Sequence, residues 1–217
     1  VKIGEISIFR IAQVLLLLLL ILSLTGCFFN FLQTARTVGA GNTALTLGFG
    51  AILNADNPSY LTPQGRLIIG VSKGIDLGVQ SGAMIGIGAA AGHVDFLGVT
   101  GDLKIALVDE PNLLVAVGAG GGYSHDGYIN RNGWGFSFSG YFEPIFPHVP
   151  DLSCCLGYRL QLPLEARNES DSMLCHQLTV SIAVFVSDQA RVIVEFGRQL
   201  SKKLHSFAIA LEVTLSK

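Results

Sequence analysis

From Thr43 to the C-terminus the chain alternates. In "TALTLGFGAIL" Leu45, Leu47, Phe49, Ala51 and Leu53 share one parity, and Thr46, Gly48 and Gly50 share the other. A period of two over that length places bulky side chains on one face of a β-strand and small or polar ones on the opposite face. "IDLGVQSGAMIGIG" repeats the pattern, setting Ile75, Leu77, Val79 and Ile85 against Asp76, Gly78, Gln80 and Gly86. So do "GDLKIALV", "LLVAVGAGGGY", "WGFSFSGYFE", "CCLGYRLQL", "QLTVSIAVFV", "ARVIVEFGRQ" and "SFAIALEVTL". "RLIIGVS" is shorter and alternates poorly. With it the count is ten strands, and almost no helical periodicity lies between them.

The connections alternate as well. Those after strands 2, 4 and 8 are tight: Lys73-Gly74, "DEPN" and "SDQ". Those after strands 1, 5 and 7 are long and polar: "NADNPSYLTPQG", "SHDGYINRNG" and "PLEARNESDSM". Short turns at one end and long loops at the other are the habit of transmembrane barrels. "AAAGH" is short for the long side, and "PIFPHVPD" is long for the tight side.

Composition decides which face meets water. Only 14% of residues are charged, a low share for a soluble domain. The non-apolar face is mostly Gly, Ser, Thr and Ala, with few charges. A solvated exterior carries more Lys and Glu than that. Small residues with compensating charges suit a narrow barrel lumen, and the aliphatic face, about ten residues per strand, suits a lipid crossing. Tyr123, Trp134 and Phe136 would lie near one interface and Phe142 and Phe146 near the other, as an aromatic girdle requires.

Together these features resemble the bacterial outer-membrane β-barrel proteins. The alternation, the even strand count, the loop asymmetry and a final strand running to the C-terminus carry the resemblance, over roughly Thr43 to Lys217. The expected fold is all-β: an antiparallel up-and-down transmembrane barrel of about ten strands, occupying 43–217. The resemblance implies outer-membrane lipid and the barrel-assembly machinery as partners. The ending "EVTLSK" departs from the family, many of whose members finish on an aromatic residue.

The first 42 residues read differently. Lys2 and Arg10 precede an apolar run, "IAQVLLLLLLILSL", of about 14 residues, too short for a comfortable transmembrane helix and typical of a secretory signal. Leu24-Thr25-Gly26-Cys27 resembles the lipobox of bacterial lipoproteins, which implies cleavage after residue 26 and a lipid on the Cys27 thiol. The expected organisation is a signal peptide at 1–26, a lipidated tether at 27–42 and then the barrel, with the N-terminus on the periplasmic side of the outer membrane. The chain carries a net charge of −2. Without the signal it is about −3, which argues against a nucleic-acid partner.

Signs of catalysis are weak. His93, His125, His148, His176 and His205 fall in loops or at strand ends, and Asp126 beside His125 is the one adjacent His/Asp pair. "GIGAAAGH" and "GAGGGY" superficially resemble phosphate-binding loops but open no helix. Cys154, Cys155 and Cys175 lack metal-site or redox-motif spacing and read as packing residues, with no disulfide framework. No cofactor or metal signature is present, and the sequence points to no particular small-molecule ligand.

The lumen charges are the sharper feature: Asp76, Gln80, Asp102, Lys104, Glu143, Arg159, Arg191, Glu195 and Glu212. Drawing the hairpins from the loop centres sets Gln80 opposite Asp102, Gly78 opposite Lys104 and Glu195 opposite Glu212. Such a network would plug the barrel and fix its register. Expected, then, is a lipid-anchored outer-membrane barrel with a packed polar lumen and a structural, adhesive or interaction role. The alternatives are a barrel hydrolase working through its external loops, or a soluble periplasmic barrel lipoprotein holding an apolar ligand.

Overall fold

A computed structural model describes residues 32–53, 60–87, 94–126, 131–149, 151–163, 175–200 and 204–215. The proposed signal and Cys27 lie outside the described residues. Ten strands follow one another: β1 (Thr43–Leu53), β2 (Tyr60–Ser72), β3 (Ile75–Gly86), β4 (Val94–Glu110), β5 (Leu113–Asp126), β6 (Arg131–Pro144), β7 (Leu152–Pro163), β8 (Cys175–Ser187), β9 (Ala190–Gln199) and β10 (His205–Leu215). Each pairs antiparallel with its neighbours, and β1 closes on β10 from Thr43↔Leu215 to Leu53↔His205. Closure satisfies every edge, which an apolar surround demands.

Parity sorts the two faces. Outward positions such as Leu47 (59% exposed), Val79 (53%), Phe138 (51%) and Ile209 (47%) form an apolar belt. Tyr123 and Trp134 sit edge to face with ring centroids 5.2 Å apart near the long-loop end. Val180 belongs to the outward parity but is only 2% exposed, flanked in register by Leu156 and Phe196. It is therefore no probe of the lipid face.

Strand bounds match the alternation best at β1 and β9. β2 begins six residues before "RLIIGVS", because "YLTPQG" is strand and not loop. Pro63 and Gly65 disguised it, although a proline is tolerated where its missing N–H breaks no needed bond. β4 runs to 17 residues and takes in "VDFLGVT".

Two registers differ from expectation. Asp76 faces Lys104 and Gly78 faces Asp102, while Gln80 faces Thr100. The β3–β4 pairing thus lies two residues from that of a simple loop-centred hairpin, and a one-residue bulge between Met84 and Ile85 interrupts it towards the loop. Glu195 faces Ala208 and Ser181, and Glu212 faces Arg191, so the two glutamates are not opposed. The β9–β10 hairpin closes earlier than drawn, with Arg198 opposite His205. Both shifts are even, so every side chain keeps its face.

Cys154 pairs with Ile182 in register, far from Cys175 at the other end of β8. Cys154 and Cys155 are free, whereas Cys175 is disulfide-bonded, so it is not the plain packing thiol expected.

Candidate functional site

The lumen is filled by side chains and by the chain itself. Thr43 starts β1 at the short-turn end, so the residues before it must either leave the barrel there or turn up into it. They turn up. Leu32, Gln33, Thr34 and Ala35 are buried inside, and the segment descends to the rim at Gly41, whose N–H donates to the Gly70 carbonyl at 2.8 Å. The described part of the expected tether is thus largely lumen packing.

Three carboxylates hold this segment by its backbone. Leu32 N–H donates to Glu195 Oε2 at 2.8 Å, and Ala35 N–H to Glu143 Oε2 at 2.9 Å. Val38 N–H points between both Asp76 oxygens, at 3.2 and 3.3 Å. Lys104 Nζ pairs with Asp76 at 3.3 Å and donates to the carbonyls of Arg36 (2.7 Å) and Thr34 (3.4 Å). The Leu32 side chain joins Ala183, Ile193, Ala208 and Ala210, and Ala35 joins Leu114, Ala116, Tyr141 and Cys155. Bonds to charged groups contribute about 1.5–3 kcal/mol each, and a fully buried leucine a similar amount.

Above and beside the segment the charges pair across the wall. Arg66 on β2 makes a two-pronged bond to Asp102 on β4, at 2.6 and 2.7 Å. It reaches over Gly78 on the strand between, where a Cβ would collide with the guanidinium. Gln80 donates to Gln64 at 2.9 Å. With its amide oxygen turned to Arg66 (2.7 and 3.1 Å), Gln33 donates to the Tyr141 hydroxyl at 3.0 Å. Arg191 binds Glu212 at 2.7 and 2.8 Å, and Thr46 donates to the same carboxylate at 3.0 Å. Ser181 donates to Glu195 at 3.1 Å. Arg159 is buried on the lumen face of β7, level with Ser139 and Gln177.

All nine lumen residues expected from the sequence therefore point inward, but they form several clusters. Asp76 and Lys104 join one, Asp102 another with Arg66, Arg191 and Glu212 a third, and Glu143 and Glu195 each clasp the inner segment. The alternation missed Gln64, which lay in the stretch taken for loop, and Arg66, which opens the poorly alternating strand "RLIIGVS". Gln33 was missed because nothing in "FFNFLQTARTVGAG" alternates. Phe185 shares the inward parity of β8, just ahead of a bulge, and the guanidinium groups of Arg36 and Arg191 lie over its ring at 5.1 and 5.8 Å. A cavity of about 370 Å³ at the short-turn mouth lies beside them, lined also by Asp188, Glu212 and Thr214.

Among the described residues no group of His, Cys, Asp and Glu is placed to hold a metal. The side chains of His125 and Asp126 lie outside the described residues.

No family model matches the chain, and no curated protein matches it. Solved structures do. An outer-membrane channel from Pseudomonas putida F1 superposes with a TM-score of 0.55 at 8% identity, over 83% of this chain and 98% of that one. The NanC porin matches at 9% identity over 79% of this chain and all of the other, with a TM-score of 0.49. A designed transmembrane β-barrel matches at 14% identity over 81% and 97%, with a TM-score of 0.39. At such identities the likeness is one of fold alone.

Proposed function

We propose that this protein is an outer-membrane barrel that serves as a structural or interaction element and does not conduct. The observation behind this is the lumen itself, where residues 32–38 occupy the space that a pore would need. Four lumen cations (Arg66, Lys104, Arg159, Arg191) stand against five carboxylates (Asp76, Asp102, Glu143, Glu195, Glu212), a near balance that suits packing. The exposed aliphatic belt supports the membrane setting. Purified chain in planar bilayers should give no steady conductance while migrating as a heat-modifiable folded band. Stable open channels would overturn the proposal. In membranes, a urea wash should leave the chain in the pellet even when Cys27 is replaced by Ser.

The "LTGC" match supports a lipid on Cys27 as part of the same proposal. An anchor there would hold the N-terminus on the periplasmic side of the outer membrane, as the sequence suggests. The cysteine count favours a second fate for the same thiol. Cys175 is disulfide-bonded while Cys154 and Cys155 are free, and the chain has four cysteines. One sulfur cannot carry both bonds. Mass spectrometry of the unreduced chain decides: a diacylglycerol on the Cys27 peptide supports the anchor, and a Cys27–Cys175 cross-linked peptide excludes it.

A further inference from the structure

We infer that the lumen is a binding site for an extended polypeptide segment, recognised chiefly through its backbone, with residues 32–38 as its resident ligand. The inference rests on the closed lumen proposed above and says what kind of ligand closes it.

The wall offers acceptors and donors at peptide spacing. Glu195, Glu143 and Asp76 come from β9, β6 and β3, three strands apart around the wall, and take the N–H groups of Leu32, Ala35 and Val38. Lys104 supplies the complementary donor to the carbonyls of Thr34 and Arg36. Asp76 also pairs with Lys104 and Glu195 also takes the Ser181 hydroxyl, and beside those partners each carboxylate accepts an N–H that any polypeptide main chain carries. Side-chain demands are few. An aliphatic group fills the Leu32 pocket, a small one fits at Ala35, and an amide at Gln33 bridges Arg66 and Tyr141. The wall is also carved for the segment. A Cβ on Gly48 would strike the Leu32 side chain, and one on Gly70 would strike the Gly39 carbonyl. The ligand class is therefore an extended peptide with a small residue three places after an aliphatic one.

The test uses the full chain with Ala35→Arg, since a long cation does not fit among Leu114, Ala116, Tyr141 and Cys155, and the segment should leave its site. An N-acetylated peptide of residues 32–42, with its fluorophore at the C-terminus, should then bind this folded variant saturably, and at least about tenfold more tightly than it binds the wild-type chain, whose site is filled. Methylating the peptide nitrogens of Leu32, Ala35 and Val38 should weaken binding by about tenfold or more. A folded variant that ignores the peptide, or binds the methylated form equally well, overturns the inference. Should Ala35→Arg fail to fold, hydrogen exchange on the wild-type chain answers instead. The Leu32, Ala35 and Val38 amides should exchange far more slowly than in the free peptide, and Glu143→Gln should speed Ala35 selectively. Free-peptide rates at all three would overturn it. Bilayer conductance of the wild-type chain bears on the closed lumen alone, so the two failures are distinct.

Discussion

The two faces of the same ten strands obey different rules. The outer face asks only for bulk and apolarity. Leu, Val, Ile and Phe interchange along most of it, and specific pairs such as Tyr123 with Trp134 stand near its edge. The inner face is a set of specific pairs. Arg66 needs Asp102 and also needs Gly78 between them, and Glu212 needs Arg191 and Thr46. A hydrophobic belt tolerates substitution within its class, while a polar lumen fails wherever one partner is lost. The largest effects of mutation should therefore come from inside.

The sharpest break of that contrast is Arg66→Met. It leaves Asp102 facing Gly78 without its two-pronged partner. Stranding a largely buried charge costs about 3–5 kcal/mol. Urea unfolding followed by the heat-modifiable band should show it, and Arg66→Met with Asp102→Leu should recover most of the loss. A single variant as stable as wild type would mean the lumen is wet enough to solvate the carboxylate.

Next comes the belt. Leu211, half exposed in the middle of β10, should tolerate Arg at a cost of about 2–4 kcal/mol, and Leu215 at the rim about 0–1 kcal/mol. The depth dependence is the signature of lipid. Equal tolerance at the two sites would make the exterior aqueous and favour a soluble barrel.

That asymmetry also explains what was legible in the sequence. Parity is local, so ten strands and an inward set of nine polar residues could be read from alternation alone. Register is not local. Whether Asp102 meets Gln80 or Gly78 depends on where the β3–β4 hairpin closes, and Glu195 escapes Glu212 because the last hairpin turns early. The inner segment was least legible. "LQTARTV" has no period, and its place is set by carboxylates more than 35 residues away in sequence, at Asp76, Glu143 and Glu195.

A change at Gly70 should separate the segment from the wall. A Cβ there meets the Gly39 backbone carbonyl, which cannot swing aside as a side-chain tip would. Gly70→Val should cost about 1–3 kcal/mol by overpacking and raise amide exchange from Val38 to Asn42. Exchange rising equally through β2 and β3 would instead mean that the barrel itself has loosened.

Glu195→Gln should have the smallest effect on stability and the most informative pattern. Gln keeps an oxygen that can accept from Leu32 N–H and from Ser181, so both bonds survive in neutral form. A charged acceptor contributes about 1.5–3 kcal/mol and a neutral one about 0.5–1.5 kcal/mol, so the segment should lose about 1 kcal/mol of hold. Against this, a buried carboxylate no longer has to be desolvated, which favours the folded barrel. The two terms oppose each other in global unfolding, where little or no change is expected. They do not oppose each other in the exchange of the Leu32 amide, which should quicken by about fivefold if it opens locally. Slower exchange at Leu32, or a collapse of the folded band, would show that Glu195 serves the wall and not the segment.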